Sequence, residues 1–258
     1  MTAAYKSKGE RKLDITDPSG KWTEITLMPE WAEDYYDVFT ARKHGKWVML
    51  KALKKEYAES PRHCRMLHHE FETRYSLAHP NIVMVNDFEQ VPGVGMAIIT
   101  DDAYGYSLRR LIDERRLTPR IIHRLETQLL DALDYIQENH VVHYPITPDN
   151  IIFTEYNENL KLINVGYDQR DELTAQDTSE DIRQYGEVLN EVLDNLPTSL
   201  PRLRRIARVA AADDPIRRYR SISQLRLAIE RRSSAIIYVC LTVFIVAMTT
   251  LLCYLAWH

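Results

Sequence analysis

Glycine is scarce in this sequence, with only 8 in 258 residues. Cysteine is rarer still: the 3 cysteines are Cys64, Cys240 and Cys253, and none stands in a CxxC pair or at metal-ligand spacing from histidines. The sequence therefore gives no sign of a disulfide framework or a zinc site, and this cysteine usage fits a reducing compartment. Few positions are available for a glycine-rich loop of the kind that closes over phosphates.

An excess of positive charge is also missing. The formal net charge is -4, with 33 Lys and Arg against 37 Asp and Glu, so we expect no nucleic-acid partner. Residues 1–14 are polar and contain no apolar core, and we therefore expect no secretory signal peptide there. With 258 residues and 45% hydrophobic content, the chain is long enough for one ordinary globular domain with additions.

One long apolar run is present, at residues 235–257, which are 23 positions without a charged side chain. A helix of this length extends about 35 Å, enough to cross a hydrocarbon core about 30 Å thick. The alternative is a buried C-terminal helix, which would normally show a polar face. Arg226, Arg231 and Arg232 precede the run and only His258 follows it. Because basic flanks stay on the cytoplasmic side, we predict a tail anchor with the body of the protein in the cytoplasm.

The predicted elements come in the order strands first, helices second. After a flexible polar lead at residues 1–20, short apolar runs separated by turns indicate strands, with one amphipathic helix at 61–78. From Ser107 onward helical spacing prevails, interrupted by a strand pair at 150–165. We predict an α+β, bilobal fold over 21–232, with a small β-rich lobe (about 21–100) and a helical lobe (about 104–232), followed by one transmembrane helix.

Several short motifs occur in a fixed order over residues 22–232. They are VMLK ending at Lys51, Glu70 nine residues before His79 of AHPNIV, ITDDAYG around Thr100, HYPITPDN at 143–150, LKLINVGYD around Asn164, DIRQYGEVLNEVL from Asp181, and DPIRRYRS at 214–221. Each motif alone is weak evidence, but their shared order is specific. On these motifs the chain resembles a degenerate member of the protein kinase family, similar to the bacterial serine/threonine kinases.

The resemblance implies a nucleotide cleft between the two lobes. Lys51 corresponds to the lysine that holds nucleotide phosphates in this family, and Glu70 to the helix glutamate that pairs with it. Thr100 takes the gatekeeper position, and Asp101 to Ala103 would form the hinge against an adenine. Lys51 and Glu70 can equally persist as a structural tie between a strand and a helix.

The residues that transfer phosphate in this family have changed, so no catalytic residue is intact. Pro145 stands at the base position and has neither an ionisable group nor a backbone N–H. Asn164 replaces the metal-binding aspartate; with Asn150 it is a weak metal candidate that has lost one negative charge. Tyr144 and Thr147 replace the arginine and the lysine of the loop.

The stretch that would form the roof over the phosphates, residues 29–40, contains no glycine. Glu30, Glu33 and Asp34 would face a polyanion there. We therefore expect any ATP binding to be weak and largely independent of magnesium, and no other cofactor. The activation segment is cut to Tyr167–Glu180 without an A-P-E phrase, so Arg218 loses its family partner, and residues 194–201 leave no room for the family's helix G.

These features favour a membrane-anchored pseudokinase, a binding or scaffolding module for an unidentified cytosolic protein. The alternative is an active serine/threonine protein kinase of unorthodox chemistry, which would use Lys51, Glu70 and Asn150 together with Asp149 or Asp168 to transfer phosphate from ATP to protein. An unrelated fold, or another enzymatic use of the cleft, is the third possibility.

Overall fold

The strands of the first lobe form one antiparallel sheet. The computed structural model describes residues 11–13 and 17–257, and of residues 11, 12, 30, 231–237 and 251–257 it describes the backbone alone. In this described part the sheet has the strand order β1-β2-β3-β4-β6-β5. Its strands are β1 (Arg11–Lys12), β2 (Trp22–Leu27), β3 (Tyr36–Lys43), β4 (Lys46–Leu53), β5 (Val85–Val91) and β6 (Gly95–Asp101). The β-rich lobe is confirmed; most of the predicted polar lead lies outside the described residues.

A tight hairpin joins β3 to β4 at the predicted turn. Lys43 and Lys46 face each other across the hairpin, and the two residues between them, His44 and Gly45, have φ of 49° and 82°. Positive φ at both loop positions matches the right-handed twist of the flanking strands. The hairpin thereby fixes the register that sets Lys51 opposite Val38 of β3.

One helix, α1 (Pro61–Tyr75), packs against β4 and β5 of the sheet. Its start is favoured by Pro61, since proline is well suited to the first helical position. The helix has both exposed and buried faces, and its buried residues include Leu67 and Glu70. α1 thus directs Glu70 toward the interior, beneath the strand that carries Lys51.

The second lobe is helical and has its own apolar core, with leucines and isoleucines such as Leu129, Leu133 and Ile182 fully buried. Its helices are α2 (Leu108–Asp113), α3 (Pro119–Arg124), α4 (Leu130–Glu138), α5 (Ala175–Asp194), α6 (Pro201–Ala210) and α7 (Ile222–Trp257). A short π-helix (Leu125–Leu129) joins α3 to α4. Its short strands are β7 (Gly105–Ser107), β8 (Val141–Val142), β9 (Ile151–Thr154), β10 (Leu160–Leu162) and β11 (Asp168–Gln169).

Helix α5 begins earlier than the sequence indicated, at Ala175 instead of Asp181. A capping box explains the earlier start, because Thr174 accepts a hydrogen bond from the Asp177 amide while the Asp177 carboxylate accepts one from the Thr174 amide. Gly186 lets α6 approach closely: a Cβ at this position would lie 2.5 Å from the Ala211 nitrogen. Residues 195–200 join α5 to α6 with no helix between them, as predicted.

The last helix, α7, is continuous from Ile222 to Trp257. The sequence suggested a lobe helix that ends near 232 and a separate span at 235–257, whereas the backbone is helical throughout. Its first part packs on α4, α5 and α6, and the side chains at 238–250 are exposed. Among the described residues, no helix is long and apolar enough to cross a membrane. Part of the predicted span, the side chains at 235–237 and 251–257, lies outside the described residues.

Candidate functional site

A largely apolar cleft lies between the two lobes, beneath β4. The apolar side chains that line it come from both lobes: Met28, Val38, Met49, Val83, Ile152 and Ile163. Four of the predicted cleft residues, Lys51, Thr100, Asp101 and Ala103, line the same space, and so does Asn164. The structure therefore brings the predicted gatekeeper, hinge and lysine together at one cleft.

The hinge between the lobes carries two acidic residues. Asp101 points to the surface side, where its Oδ1 accepts hydrogen bonds from Lys46 Nζ at 2.7 Å and Asn86 Nδ2 at 2.8 Å. Asp102 lines the cleft, and its Oδ1 accepts the Tyr104 amide at 2.9 Å. Burial, together with the charge of Asp101, raises the pKa of Asp102 despite this bond. The hinge thus offers the cleft a carboxyl group as well as backbone groups.

At the inner end of the cleft, Lys51 belongs to a buried ionic cluster. Its Nζ donates to Glu33 Oε2 at 2.8 Å and to Glu70 Oε1 at 3.0 Å. Arg74, one helical turn after Glu70, donates from Nη1 to the same Glu70 oxygen at 2.9 Å. Lys51, Glu70 and Arg74 are 5%, 1% and 5% exposed. Two cations and two carboxylates therefore balance each other inside the protein. We call these four residues the Lys51 cluster.

Two tyrosine rings complete the surroundings of the Lys51 ammonium. Its Nζ lies 4.4 Å from the ring centroid of Tyr36 and 4.7 Å from that of Tyr144, both within cation–π range. The Tyr144 hydroxyl donates to Glu70 Oε2 at 3.0 Å. Burial and the Glu70 carboxylate raise the pKa of Tyr144, so its hydroxyl stays protonated and remains a donor. Lys51 is thus engaged by two carboxylates and two rings of the protein itself.

The charged state of the Lys51 cluster follows from its contacts. Burial alone raises the pKa of Glu70, but the charges and hydrogen bonds of Lys51 and Arg74 outweigh burial and hold that pKa below its ordinary value. Glu70 is therefore ionised. Glu33 uses one oxygen for Lys51, while its Oε1 is buried and has no hydrogen-bond partner among the described residues.

The roof stretch that carries Glu33 is fixed by aromatic contacts. Tyr35 packs against Tyr57 and His63, with ring centroids 5.2 Å and 4.8 Å away, and Tyr57 and His63 lie 4.7 Å apart. The Glu33 amide also donates to the Tyr36 carbonyl at 2.9 Å. The roof therefore holds Glu33 over Lys51. The side chain of Glu30, also predicted to face a polyanion, lies outside the described residues.

The loop at 143–150 keeps the frame of a catalytic loop. Asn150 Nδ2 donates to the Pro145 carbonyl at 3.1 Å, and the Asn150 carbonyl accepts the Ile163 amide at 2.9 Å. Asn164, next along the chain, has φ of 53°, a left-handed conformation that asparagine tolerates better than most residues. Asn150 therefore lies beside Pro145, which is exposed and offers no carboxylate.

A buried histidine anchors this loop. His143 Nε2 lies 2.8 Å from Asp181 Oδ1, and its Nδ1 lies 2.6 Å from the Tyr144 carbonyl oxygen. Both neighbours are acceptors, which favours the imidazolium, and the Asp181 contact is an ion pair without hydrogen-bond geometry. Burial alone lowers the pKa of His143, but Asp181 and the Tyr144 carbonyl outweigh it and the pKa is raised. Gln137 donates to the other Asp181 oxygen at 2.8 Å.

Asp149 and Asp168, the acidic residues that an active kinase of unorthodox chemistry would use, are each close to a basic side chain. Asp149 has a 64% exposed side chain, 3.6 Å from Arg109, and Asp168 pairs with His69 at 2.9 Å. In the described part of the chain, no group of three or more His, Cys, Asp or Glu side chains is placed to hold a metal ion. Arg218, which loses its family partner, donates instead to the Ser179 hydroxyl at 3.1 Å.

Sequence reasoning missed two members of this site, Arg74 and Tyr36, and one pairing, that of Glu33 with Lys51. Arg74 was detectable, because it follows Glu70 by four positions on a predicted helix and such pairs share a face. The pairing of Glu33 with Lys51 was not predicted, since Glu33 was expected to face a bound polyanion. Tyr36 was not among the predicted site residues. The last two depend on the path of the roof backbone, which no residue spacing specifies.

A β-rich lobe hinged to a helical lobe, with a strand lysine paired to a helix glutamate between them, defines the architecture of a protein kinase. Comparison with known families agrees: the protein kinase domain family matches residues 35–182. That match covers more than half of the chain, and the chain belongs to this family. The predicted family is thereby confirmed.

Individual relatives are distant. The chain is 31% identical over 172 residues to serine/threonine-protein kinase ULK3 of Mus musculus, covering 64% of this chain and 34% of that one. It is 30% identical over 127 residues to serine/threonine-protein kinase 36 of Pongo abelii, covering 49% and 9%. The chain thus spans about a third or less of the length of these curated relatives.

Among solved structures, the kinase domain of Mycobacterium tuberculosis PknI is similar in fold. It aligns with a TM-score of 0.56 at 19% identity, covering 78% of this chain and 92% of that one. A double mutant of the same domain (C20A_R136N) aligns with a TM-score of 0.61 at 18% identity, covering 85% and 100%. At this identity the likeness establishes the bilobal kinase fold.

Proposed function

We propose that this chain is a kinase-like binding module that does not transfer phosphate. The observation that carries the proposal is the Lys51 cluster: the lysine that would hold nucleotide phosphates is paired with Glu33 of the roof at 2.8 Å. A carboxylate of the protein therefore competes with phosphates for the Lys51 ammonium. Pro145 adds a second loss, because it cannot accept the proton of a substrate hydroxyl.

The groups near the cleft do not fit a magnesium–nucleotide complex. Magnesium is held in such sites by carboxylates together with phosphate oxygens. Here Asn164 and Asn150 supply neutral amide oxygens and no carboxylate. A nucleotide would bind chiefly through its base, against the apolar walls and the hinge residues Thr100, Asp101 and Ala103. We therefore propose weak binding that is largely independent of magnesium.

Incubation of the purified full chain with γ-labelled ATP, magnesium and generic protein substrates tests the central proposal. We expect no label on the chain or on the substrates. Pro145→Asp should remain inactive, because it restores the base but neither the metal carboxylate nor an open Lys51. Incorporation of label that disappears in Lys51→Ala would refute the proposal and favour the alternative, an active kinase of unorthodox chemistry.

We further propose that the end of α7 anchors the module to a membrane, with the lobes in the cytoplasm. Support comes from the uncharged residues 235–257 and from the exposure of apolar side chains along α7, including Val239, Phe244 and Val246 at 61%, 63% and 61%. Exposed apolar surface of this extent marks an interaction site in a protein. Deleting residues 235–258 should move the chain from the membrane pellet to the supernatant; a truncated chain that still pellets after a high-salt wash contradicts the anchor.

A further inference from the structure

A second cavity lies on the opposite side of the Lys51 cluster from the apolar cleft. Its volume is about 650 Å³, within the range of about 300–1,000 Å³ typical of ligand sites. It lies between the roof, α1 and the segment that follows Asn164, and it is open to solvent. The lining residues are Glu33, Asp34, Tyr35, Tyr36, Met66, His69, Glu70, Tyr144, Tyr167 and Asp168. We call this space the acidic cavity.

Four carboxylates line the acidic cavity, and among the residues that the structure describes its walls include no lysine or arginine. Two of the four, Glu33 and Glu70, belong to the neutral Lys51 cluster. The Asp34 carboxylate has no ion-pair partner among the residues that the structure describes, while its backbone carbonyl accepts from Lys54 Nζ at 3.0 Å. Asp168 lies 2.9 Å from His69 and 4.0 Å from Arg170. Arg170 itself is closer to Asp177, at 3.1 Å. The cavity therefore presents surplus negative charge at its open side.

The remaining walls are aromatic. The rings of Tyr144 and Tyr167 lie 5.1 Å apart, and Tyr35 and Tyr167 are 37% and 40% exposed at the mouth. Tyrosine faces attract cations through their ring quadrupole. Deeper in the same walls, Tyr36 and Tyr144 already flank one ammonium group, that of Lys51. Tyrosine rings and carboxylates like those around Lys51 also line the solvent side of the cavity. No cation of the described residues lies among its lining residues there.

We propose that the acidic cavity receives an arginine side chain of a partner protein, with its guanidinium stacked on Tyr167 and paired with the Asp34 carboxylate. Arginine fits better than lysine because its planar group stacks on aromatic faces and donates two parallel hydrogen bonds to one carboxylate. This inference rests on the proposed binding role, since it names the chemistry of the partner. The charge complementarity excludes an acidic or phosphorylated segment as the occupant.

The test is a fluorescence anisotropy titration of the full chain with three labelled peptides at constant salt. The peptides share a Gly/Ser frame and carry three arginines, three lysines or three glutamines. We expect the arginine peptide to bind most tightly, the lysine peptide more weakly, and the glutamine peptide without measurable affinity. Asp34→Asn and Tyr167→Ala should each weaken the arginine peptide by about fivefold or more, the equivalent of about 1 kcal/mol.

Two control variants keep the test specific. Tyr167→Phe retains the ring and should bind like the wild type, so a loss in Tyr167→Ala alone is a loss of stacking. Asp213→Asn removes an exposed carboxylate that is not among the lining residues of the cavity and should change the affinity by less than about twofold. Equal binding of the arginine and glutamine peptides, or cavity variants that bind like the wild type, would overturn the inference. If the chain transfers no label and also fails to bind the arginine peptide, this inference is refuted while the proposed function stands.

Discussion

The two halves of the cleft have kept different parts of a kinase site. In the first lobe the charged residues survive, but Lys51 and Glu70 are paired with Glu33 and Arg74 of the protein. In the second lobe the frame survives, since His143 and Asp181 still anchor the loop, but the group that would react is gone. The first half has gained further partners within the protein, and the second half has a proline where the family has a carboxylate.

Burial explains why the two halves diverged in this way. Removing one member of a buried ion pair leaves an uncompensated charge, which is strongly destabilising, so Glu70 is retained whether or not phosphate is ever transferred. The same holds for Asp181 beside the buried His143. Pro145 is exposed, and an exposed position makes no such demand on stability. Structural need therefore preserves the buried ions, while only catalysis would preserve a carboxylate at Pro145.

The strongest test of this explanation is Glu70→Gln. The substitution keeps the shape of the side chain but leaves Lys51 and Arg74 with a single carboxylate between them. We expect the free energy of unfolding to fall by about 3 kcal/mol or more, measured by urea unfolding of the full chain in non-ionic detergent. Glu72→Gln is the matched control on the same helix. The Glu72 side chain is 60% exposed and pairs with His68, so the cost should stay below about 1 kcal/mol.

Equal destabilisation by the two substitutions at 70 and 72 would contradict this account, because it would mean that burial does not decide which charges matter. A small loss of stability in both variants would show that the ion pairs of the Lys51 cluster do not stabilise the fold.

Much of the fold could be predicted because the motifs are local. The turn at His44-Gly45, the helix that carries Glu70 and the missing helix between α5 and α6 each follow from a short stretch of sequence. The start of α5 was wrong because the capping box at Thr174 precedes the motif that drew attention to Asp181. Local sequence motifs thus predicted most elements. The start of α5 was misplaced because the capping box at Thr174 was overlooked.

The site was less predictable than the fold, for a physical reason. Glu33 reaches Lys51 only because Tyr35, Tyr57 and His63 fix the roof, and these three residues come from separate segments. A contact of this kind depends on the backbone path between elements, which side-chain spacing does not encode. The sequence indicated that the roof was acidic and poor in glycine; it did not indicate which cation the acid would meet.

A second prediction follows from that contact, with an effect on affinity instead of stability. Glu33→Gln removes the carboxylate that competes with phosphates for Lys51, so ATP should bind about tenfold more tightly, equivalent to about 1.4 kcal/mol. Adenosine, which has no phosphate, should bind as it does to the wild type. Isothermal titration with both ligands measures the difference.

Glu59→Gln serves as the control for this experiment, because Glu59 is an exposed acid of the same lobe that does not line the cleft. An equal gain for ATP and adenosine would show that the substitution merely opens the cleft. No gain for either ligand would show that Glu33 does not compete with phosphates for Lys51, and the account given above of the first lobe would then be wrong.

The smallest effect is expected for His143 in the second lobe, as a pH dependence of the free energy of unfolding. The pKa of His143 is raised in the folded protein, so its imidazolium contributes stability that is fully present below its unfolded pKa, about 6.5. That contribution is lost as the pH rises through the folded pKa, with a slope of at most about 1.4 kcal/mol per pH unit. The free energy of unfolding, measured with urea, should therefore decline above pH 6.5 by a component that is absent in His143→Gln.

His79→Gln is the control for this measurement. Burial lowers the pKa of His79, so its contribution changes below pH 6.5 and the decline above that pH should persist. If wild type and His143→Gln lose stability in parallel above pH 6.5, then the Asp181 pair does not hold the imidazolium, and the loop is kept in place by its backbone and by Asn150 instead.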